Sequence, residues 1–297
     1  MTTLFGGIEA GGTKFICGIA DQNGKIKDNI RIPTNTPETT LVRVVDYFKK
    51  IHQETPLKAI GIASFGPIDP DPASPFYGYI TSTPKPGWGQ FNLVGAIKKH
   101  FALPIRFDTD VNAAALGEGT FGAAKGLNTY IYITVGTGIG AGGVIEGNLM
   151  HGLTHPEMGH IFIPQHKDDD FAGVCPFHKN CLEGLASGPS LKTRWKVNSA
   201  LDLPVDHKAW EIEADYLATM IANYIMILSP QRIIIGGGVM RQKQLYTLIR
   251  PLVLKKLNGY IKHDTLQDHI DEYIVPPALG DSSGLLGAVA LAQEDIT

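Results

Sequence analysis

The sequence predicts an α/β protein built from two related lobes. Three observations carry that expectation. Glycine-rich hairpins of similar design recur at residues 6–14 and 134–143, each opening a like succession of elements. Short apolar, β-branched runs alternate with segments of helical periodicity on both sides. The length, 297 residues, exceeds the roughly 100–200 residues of a single domain.

The first hairpin is Gly6-Gly7-Ile8-Glu9-Ala10-Gly11-Gly12-Thr13-Lys14, set between the runs Leu4–Ile8 and Phe15–Ile19. Helical periodicity follows over Thr39–His52, with Leu41, Val44, Val45 and Phe48 on one side. Lys58–Ala63 reads as a buried strand, Pro67–Trp88 as a long surface loop, Leu93–Phe101 as a helix and Pro104–Phe107 as a strand. An Ala-rich helix occupies Val111–Phe121. The second hairpin, Thr134-Val135-Gly136-Thr137-Gly138-Ile139-Gly140-Ala141-Gly142-Gly143, lies between Tyr130–Val135 and Val144-Ile145. Trp210–Leu228 is a long amphipathic helix stopped by Ser229-Pro230. The strand Gln231–Ile235 then enters a third cluster, Gly236-Gly237-Gly238, which leads into a helix. Ser282 or Ser283 is expected to cap a last helix, Gly284–Gln293. The expected division is 1–115 for an N-terminal lobe, with 283–297 folding back onto it, and 116–282 for a C-terminal lobe.

Composition excludes several classes. A 43% hydrophobic, 19% charged chain of net charge −3 is neither disordered nor a general nucleic-acid or membrane binder. Three cysteines make no disulfide scaffold. No apolar run approaches the ~18–20 residues of a membrane span. Met1–Gly7 has neither a basic start nor a long apolar stretch, so no signal peptide is expected and the location is expected to be cytoplasmic.

Glycine is the unusual feature: 34 residues against an average near ~7%. Glycine hairpins let backbone N–H groups approach an anion closely, with positive φ where needed. Thr13 and Thr137 add hydroxyls, Lys14 a cation, and Glu9 a carboxylate suited to Mg2+. The alternative is tight turns with no ligand. No G-x-x-x-x-G-K-[ST] is present, so a P-loop is not expected. In Phe107-Asp108-Thr109-Asp110-Val111-Asn112 a strand ends and a helix begins. Asp110 there is either an N-cap or a general base. His160-x14-Cys175-x2-His178-x2-Cys181 offers four ligands to a closed, structural Zn2+ site. A disulfide or scattered core thiols is the alternative, and Cys17 is expected in the core. Glu157 and Glu183 flank this cluster and suit sugar hydroxyls or simple solvation. Asp168-Asp169-Asp170 reads as a solvated turn, and Trp88, Trp195 and Trp210 as core residues or sugar platforms.

Six strings together resemble the ROK family of sugar kinases along nearly the whole chain, and within it the bacterial fructokinase type. They are Ile8–Phe15, Thr109–Glu118, Thr134–Gly142, His155–His160, Cys175–Pro189 and Ile233–Met240. The resemblance implies a two-lobe actin-like or ribonuclease-H-like fold with a zinc-binding loop. It also implies ATP-dependent phosphorylation of a hexose: fructose at its 6-hydroxyl, with mannose or glucose as alternatives. Glu9, Gly11, Gly12, Thr13, Lys14, Thr137, Gly138, Gly188, Gly236, Gly237 and Gly238 would hold ATP and Mg2+ across the cleft. Asp110 would be the catalytic base. Asn112, Glu157, His160 and Glu183 would hold the sugar, and His160, Cys175, His178 and Cys181 the Zn2+, so His160 is claimed twice. A homodimer with no nucleic-acid or membrane partner is implied. This sequence departs from the family at Thr109, where many relatives carry Asn, and at Glu9, where the usual residue is Asp. Its zinc loop is respaced, with His178 in place of a Cys. An actin-like ATPase without a sugar substrate, a DNA-binding repressor and a zinc hydrolase are the competing classes. A repressor would need a helix-turn-helix ahead of Gly6.

Overall fold

A computed structural model describes residues 3–294. The chain forms two compact units. One takes the residues up to Gly126, Leu149–Pro156 and the chain from Ala278 on; the other takes Leu127–Asn148 and Glu157–Pro277.

The first unit is built on a five-stranded sheet. β1 (Leu4–Ala10) and β2 (Lys14–Asp21) make the antiparallel hairpin expected around the first glycine cluster. β3 (Ile26–Pro33) pairs antiparallel with β2 at the sheet edge. Its centre, Lys27-Asp28-Asn29, is exposed and lacks apolar alternation, as befits a protected edge. β4 (Leu57–Ser64) runs parallel to β1. The segment expected to be a surface loop is instead partly core. Ile68, Ile80 and Trp88 are buried, and β5 (Tyr79–Ile80) pairs with β6 (Phe91–Asn92). Trp88 donates its Nε1 proton to the Asn35 carbonyl at 2.8 Å, which satisfies the indole inside an apolar environment. β7 (Ile105–Thr109) lies parallel to β4 and completes the order β3-β2-β1-β4-β7. Ala10 pairs with Ser64 and Ser64 with Thr109, so three parallel strands end along one edge.

Helix α1 (Pro37–Glu54) begins at the Thr36 cap with Pro37 in its first turn. It buries Leu41, Val44, Val45 and Phe48 in the cluster that holds Ile8, Phe15 and Ile62. Each such side chain contributes about 1.5–3 kcal/mol by leaving water. α2 (Leu93–Lys98) starts at Asn92, which accepts from Gly95 N–H at 2.6 Å. α3 (Asp110–Phe121) follows β7 without a loop, so a lobe boundary at residue 115 would cut this helix.

The second unit repeats the plan. β8 (Tyr130–Val135) and β9 (Ile139–Ile145) form the second antiparallel hairpin. With β10 (Asn148–Leu149), β11 (Arg232–Gly236) and β12 (Ile274–Val275) the order is β10-β9-β8-β11-β12. β11 is parallel to β8, and β12 to β11. A hairpin flanked by parallel strands in each sheet is the duplication that the paired glycine clusters imply. The helices are α4 (Leu182–Ala186), α5 (Gly188–Trp195), α6 (Ala209–Leu228), α7 (Gln244–Leu257), α8 (Asp264–Gln267) and α9 (Ile270–Tyr273). α6 ends where Ser229 adopts φ 46° before Pro230.

The last helix, α10 (Ser283–Gln293), belongs to the first unit. The expected serine cap is not made. Ser283 donates its hydroxyl to Glu118 Oε1 at 2.8 Å instead. Glu118 is fully buried in α3 and also accepts from the N–H groups of Ala123, Ala278 and Leu279. Gly287 of α10 sits against the Ala113 carbonyl, where any Cβ would overlap it. No helix among the described residues is long and apolar enough to cross a membrane.

Candidate active site

In the first unit the chemistry gathers at the carboxyl ends of β1, β4 and β7, where open α/β sheets place their ligands. The β1–β2 turn closes with Gly11 N–H donating to the Lys14 carbonyl at 3.0 Å. A Cβ at Gly11 would stand 2.7 Å from that carbonyl, whereas Gly12 faces open space. Glycine is therefore needed at residue 11 for close approach and not for positive φ. Thr34 of the segment after β3 braces the turn through its hydroxyl to the Gly11 carbonyl at 2.7 Å.

Asp110 opens α3 but does not cap it. The cap is Thr109, whose side chain accepts from Asn112 N–H at 3.1 Å. Asp110 Oδ1 accepts from Val111 N–H at 2.9 Å. The N-cap alternative for Asp110 is thus excluded by its neighbour, and Thr109 is committed to the helix. Glu9 is the second carboxylate here. Burial pushes its carboxyl up to about 7, the Asp110 and Asp281 charges add to the rise, and Lys14 and Arg31 oppose it. Glu9 Oε2 is buried with no hydrogen-bond partner. Two carboxylates that repel each other, one with an unsatisfied oxygen, form a donor set that fits a hard divalent cation.

In the second unit three glycine loops converge. Gly136 N–H donates to the Gly138 carbonyl and Gly188 N–H to the Gly136 carbonyl, both at 2.8 Å. Gly237 has φ 97°, and a Cβ there would lie 2.4 Å from the Val135 carbonyl. It is the one candidate-site glycine that needs the left-handed region. Gly238 N lies 3.8 Å from where a Cβ on Gly136 would stand, and Gly238 itself faces open space. Gly236 packs on Pro277, and Thr137 is exposed at the tip of the hairpin.

His160, Cys175, His178 and Cys181 form a His/Cys metal-binding cluster. One ligand atom from each lies within 4.8 Å of the others. His160 Nδ1 is 3.7 Å from Cys175 Sγ and 3.5 Å from Cys181 Sγ, and His178 Nδ1 is 3.8 Å from Cys175 Sγ. Zinc with nitrogen at ~2.0 Å and sulfur at ~2.3 Å sets tetrahedral N···S separations of about 3.5 Å, so the four residues fit it. Both cysteines are free thiols, which excludes the disulfide alternative. Burial pushes the Cys181 thiol up to about 11, so a cation binding there displaces a proton. The His160 ring faces both ways: Nδ1 meets the sulfurs and Nε2 lies 3.8 Å from Glu183 Oε1. Glu183 Oε2 in turn accepts from Ile139 N–H at 3.0 Å, which ties the cluster to the second glycine hairpin. Gly159 lies so close to the Ile139 carbonyl that no side chain fits. Glu157, one turn earlier, is exposed, and its carbonyl accepts from His160 N–H at 3.0 Å.

The ROK family profile matches residues 5–295. The chain belongs to the ROK family. It is 47% identical to a fructokinase of Pediococcus pentosaceus over 290 residues, covering 98% of both chains. It is 43% identical to a fructokinase of Streptococcus mutans over 298 residues, covering 99% of both. A ROK hexokinase from Thermus thermophilus superimposes with a TM-score of 0.79 at 26% identity, covering 100% of this chain and 99% of the other.

Some residues of this ROK protein's units escape sequence reasoning. Asp169, read as part of a solvated run, has a side chain only 3% exposed and pairs with Arg194 at 3.0 Å. Arg194 also lies over the Phe171 ring at 4.5 Å and donates to the Leu185 carbonyl at 2.7 Å. This ion pair fastens the segment ahead of Cys175 onto α5. Asp168 and Asp170 are exposed as expected. Trp88 and Trp210 are core residues and Cys17 is fully buried. Asp108 and His151, which pair at 2.8 Å, carry no periodic signal. The one hint is that Asp108-Thr109-Asp110 holds two aspartates where a single base would suffice.

Proposed function

We propose that this protein is a fructokinase, transferring the γ-phosphoryl group of ATP to the 6-hydroxyl of fructose. The observation that carries the reading is Asp110: a carboxylate at the ends of three parallel strands, excused from capping by Thr109 and electrostatically coupled to Glu9. The choice of fructose is supported by the two fructokinases that share 47% and 43% of their residues with this chain at nearly full length.

Asp110 accepts the proton of the attacking hydroxyl as the oxygen turns toward phosphorus. Asn112, Glu157, His160 and Glu183 hold the other hydroxyls. Gly11 closes the turn, and the backbone N–H of Gly12, with Thr13 and Lys14, binds phosphate oxygens. Thr137, Gly138, Gly188 and Gly236–Gly238 receive the remainder of the nucleotide. Glu9 would hold Mg2+, which when bound neutralises charge on the phosphate oxygens. His160 Nδ1, Cys175, His178 and Cys181 would hold Zn2+, closed to solvent chemistry by its four protein ligands. That site fixes His160 and, through it, the setting of Glu183. His160 then serves both claims with different nitrogens. The protein acts as a cytoplasmic homodimer without a nucleic-acid partner on this reading, and its mass in solution checks the dimer.

The test is ATP consumption and product analysis with fructose, mannose and glucose. Fructose giving the highest kcat/KM, with phosphate on O6, is expected. ATP hydrolysis that ignores all three sugars contradicts the reading.

A further inference from the structure

We propose that His151 is a positioning residue for Asn112: by bonding the second oxygen of Asp108 it fixes the setting of that carboxyl group, which dictates which end of the Asn112 carboxamide faces the sugar. This rests on the reading of Asn112 as a sugar contact. Asp108 is buried at the end of β7, with a side chain 4% exposed. Its Oδ1 accepts from Thr109 N–H at 2.7 Å and from Asn112 Nδ2 at 2.9 Å. Its Oδ2 accepts from His151 Nε2 at 2.8 Å. An ionised carboxylate only accepts, so the donor end of the amide must sit on Asp108. Asn112 Nδ2 and His151 Nε2 stand 3.3 Å apart. Both donate to Asp108 and neither bonds the other. Asn112 Oδ1 accepts no hydrogen bond from the described residues and remains as an acceptor for a sugar hydroxyl.

A carboxyl group held at only one oxygen is free to rotate about its Cβ–Cγ bond, and a buried oxygen left without a donor is costly. Rotation of Asp108 would release Asn112 Nδ2 from Oδ1, leaving the amide to turn and present a donor where the sugar needs an acceptor. His151 prevents this. The hydrogen bond to Asp108 raises its pKa against the opposing effect of burial, and the charges of Asp108, Glu294 and Asp71 add to the rise. His151 is partly exposed, with a side chain 37% accessible, so replacing it leaves the core intact.

The test is steady-state kinetics and calorimetric fructose binding for wild type, His151→Phe, His151→Gln and Asp108→Asn. His151→Phe is expected to raise the KM and Kd for fructose about tenfold, the cost of one misdirected hydrogen bond, with the KM for ATP unchanged. His151→Gln restores a neutral donor to Oδ2 and is expected to recover most of the loss. Asp108→Asn is expected to weaken fructose binding like His151→Phe. A fructose Kd within twofold of wild type in His151→Phe overturns the proposal. So does a glutamine variant no better than phenylalanine, or a parallel rise in KM for ATP. A wild-type protein that binds fructose but transfers no phosphate overturns the kinase reading alone, while the binding arm still decides the role of His151. A wild type that binds no hexose overturns both.

Discussion

Replacing Glu9 by Gln should make the protein more stable and less active, and the size of the first effect follows from burial. The Glu9 carboxyl rises from 4.5 to about 7 in the folded chain, chiefly through burial and then through Asp110. Between those values the folded state holds a proton that the unfolded state has released. Stability therefore falls as pH rises through this window, the reverse of a salt-bridged carboxylate. At 1.36 kcal/mol per pKa unit the full loss is about 3 kcal/mol by pH 8, and about 1 kcal/mol at pH 5. Glutamine keeps the shape and removes the charge. Without Mg2+, Glu9→Gln should melt about 6–12 °C above wild type at pH 8 for a unit of about 150 residues, and only slightly above it at pH 5. Buried Glu213, whose carboxyl burial also raises, is common to both proteins and cancels. Thermal melts of the pair at the two pH values, together with turnover at saturating Mg-ATP, make the assay. A variant less stable than wild type at pH 8, or a stability difference independent of pH, would refute the argument. Full activity in Glu9→Gln would separately remove its role at the cation.

Elemental analysis should find one zinc per chain. Chelation or Cys181→Ser should cost about 4 kcal/mol where free zinc stood about 1,000-fold above its Kd, and should raise the KM for fructose through the loosened Glu183. A zinc-free preparation with native melting and KM would contradict this. Glu118→Gln should be destabilising by about 2–6 kcal/mol, because an amide can keep acceptors for only two of the four donors now bound to the carboxylate, at about 1–3 kcal/mol for each donor left bare. Urea unfolding checks it, and a change below about 0.5 kcal/mol would show that the network relaxes freely.

What was legible in the sequence was what short-range chemistry determines. Both hairpins were visible because glycine spacing and flanking β-branched runs are local signals. Helix α1 was visible because Leu41, Val44, Val45 and Phe48 recur at the helical period. The metal cluster could be read because Cys175, His178 and Cys181 lie within one turn of chain. The remainder depends on contacts distant in sequence. Glu118 looks like an ordinary helical surface residue until Ala278, Leu279 and Ser283 meet it. Asp169 belongs to a charge run until Arg194 is found beside it. β3 hid behind a polar centre because an edge strand needs little apolar alternation. Asp110 could not be separated from a helix cap by residue type, since Thr109 and Asp110 are both good caps. Only the bond from Asn112 N–H to Thr109 distinguishes them. The two claims on His160 likewise needed the orientation of its ring.

The most direct measurement compares Asp110→Asn with wild type in a fructose-dependent ATP assay, with nucleotide affinity read separately by calorimetry. A carboxylate that accepts the hydroxyl proton should, when neutralised, lower kcat by ~10²–10⁴-fold while the affinity for ATP stays within about twofold. Turnover near the wild-type rate in Asp110→Asn would mean that the proton leaves by another route, and the kinase site would have to be sought away from the ends of β1, β4 and β7.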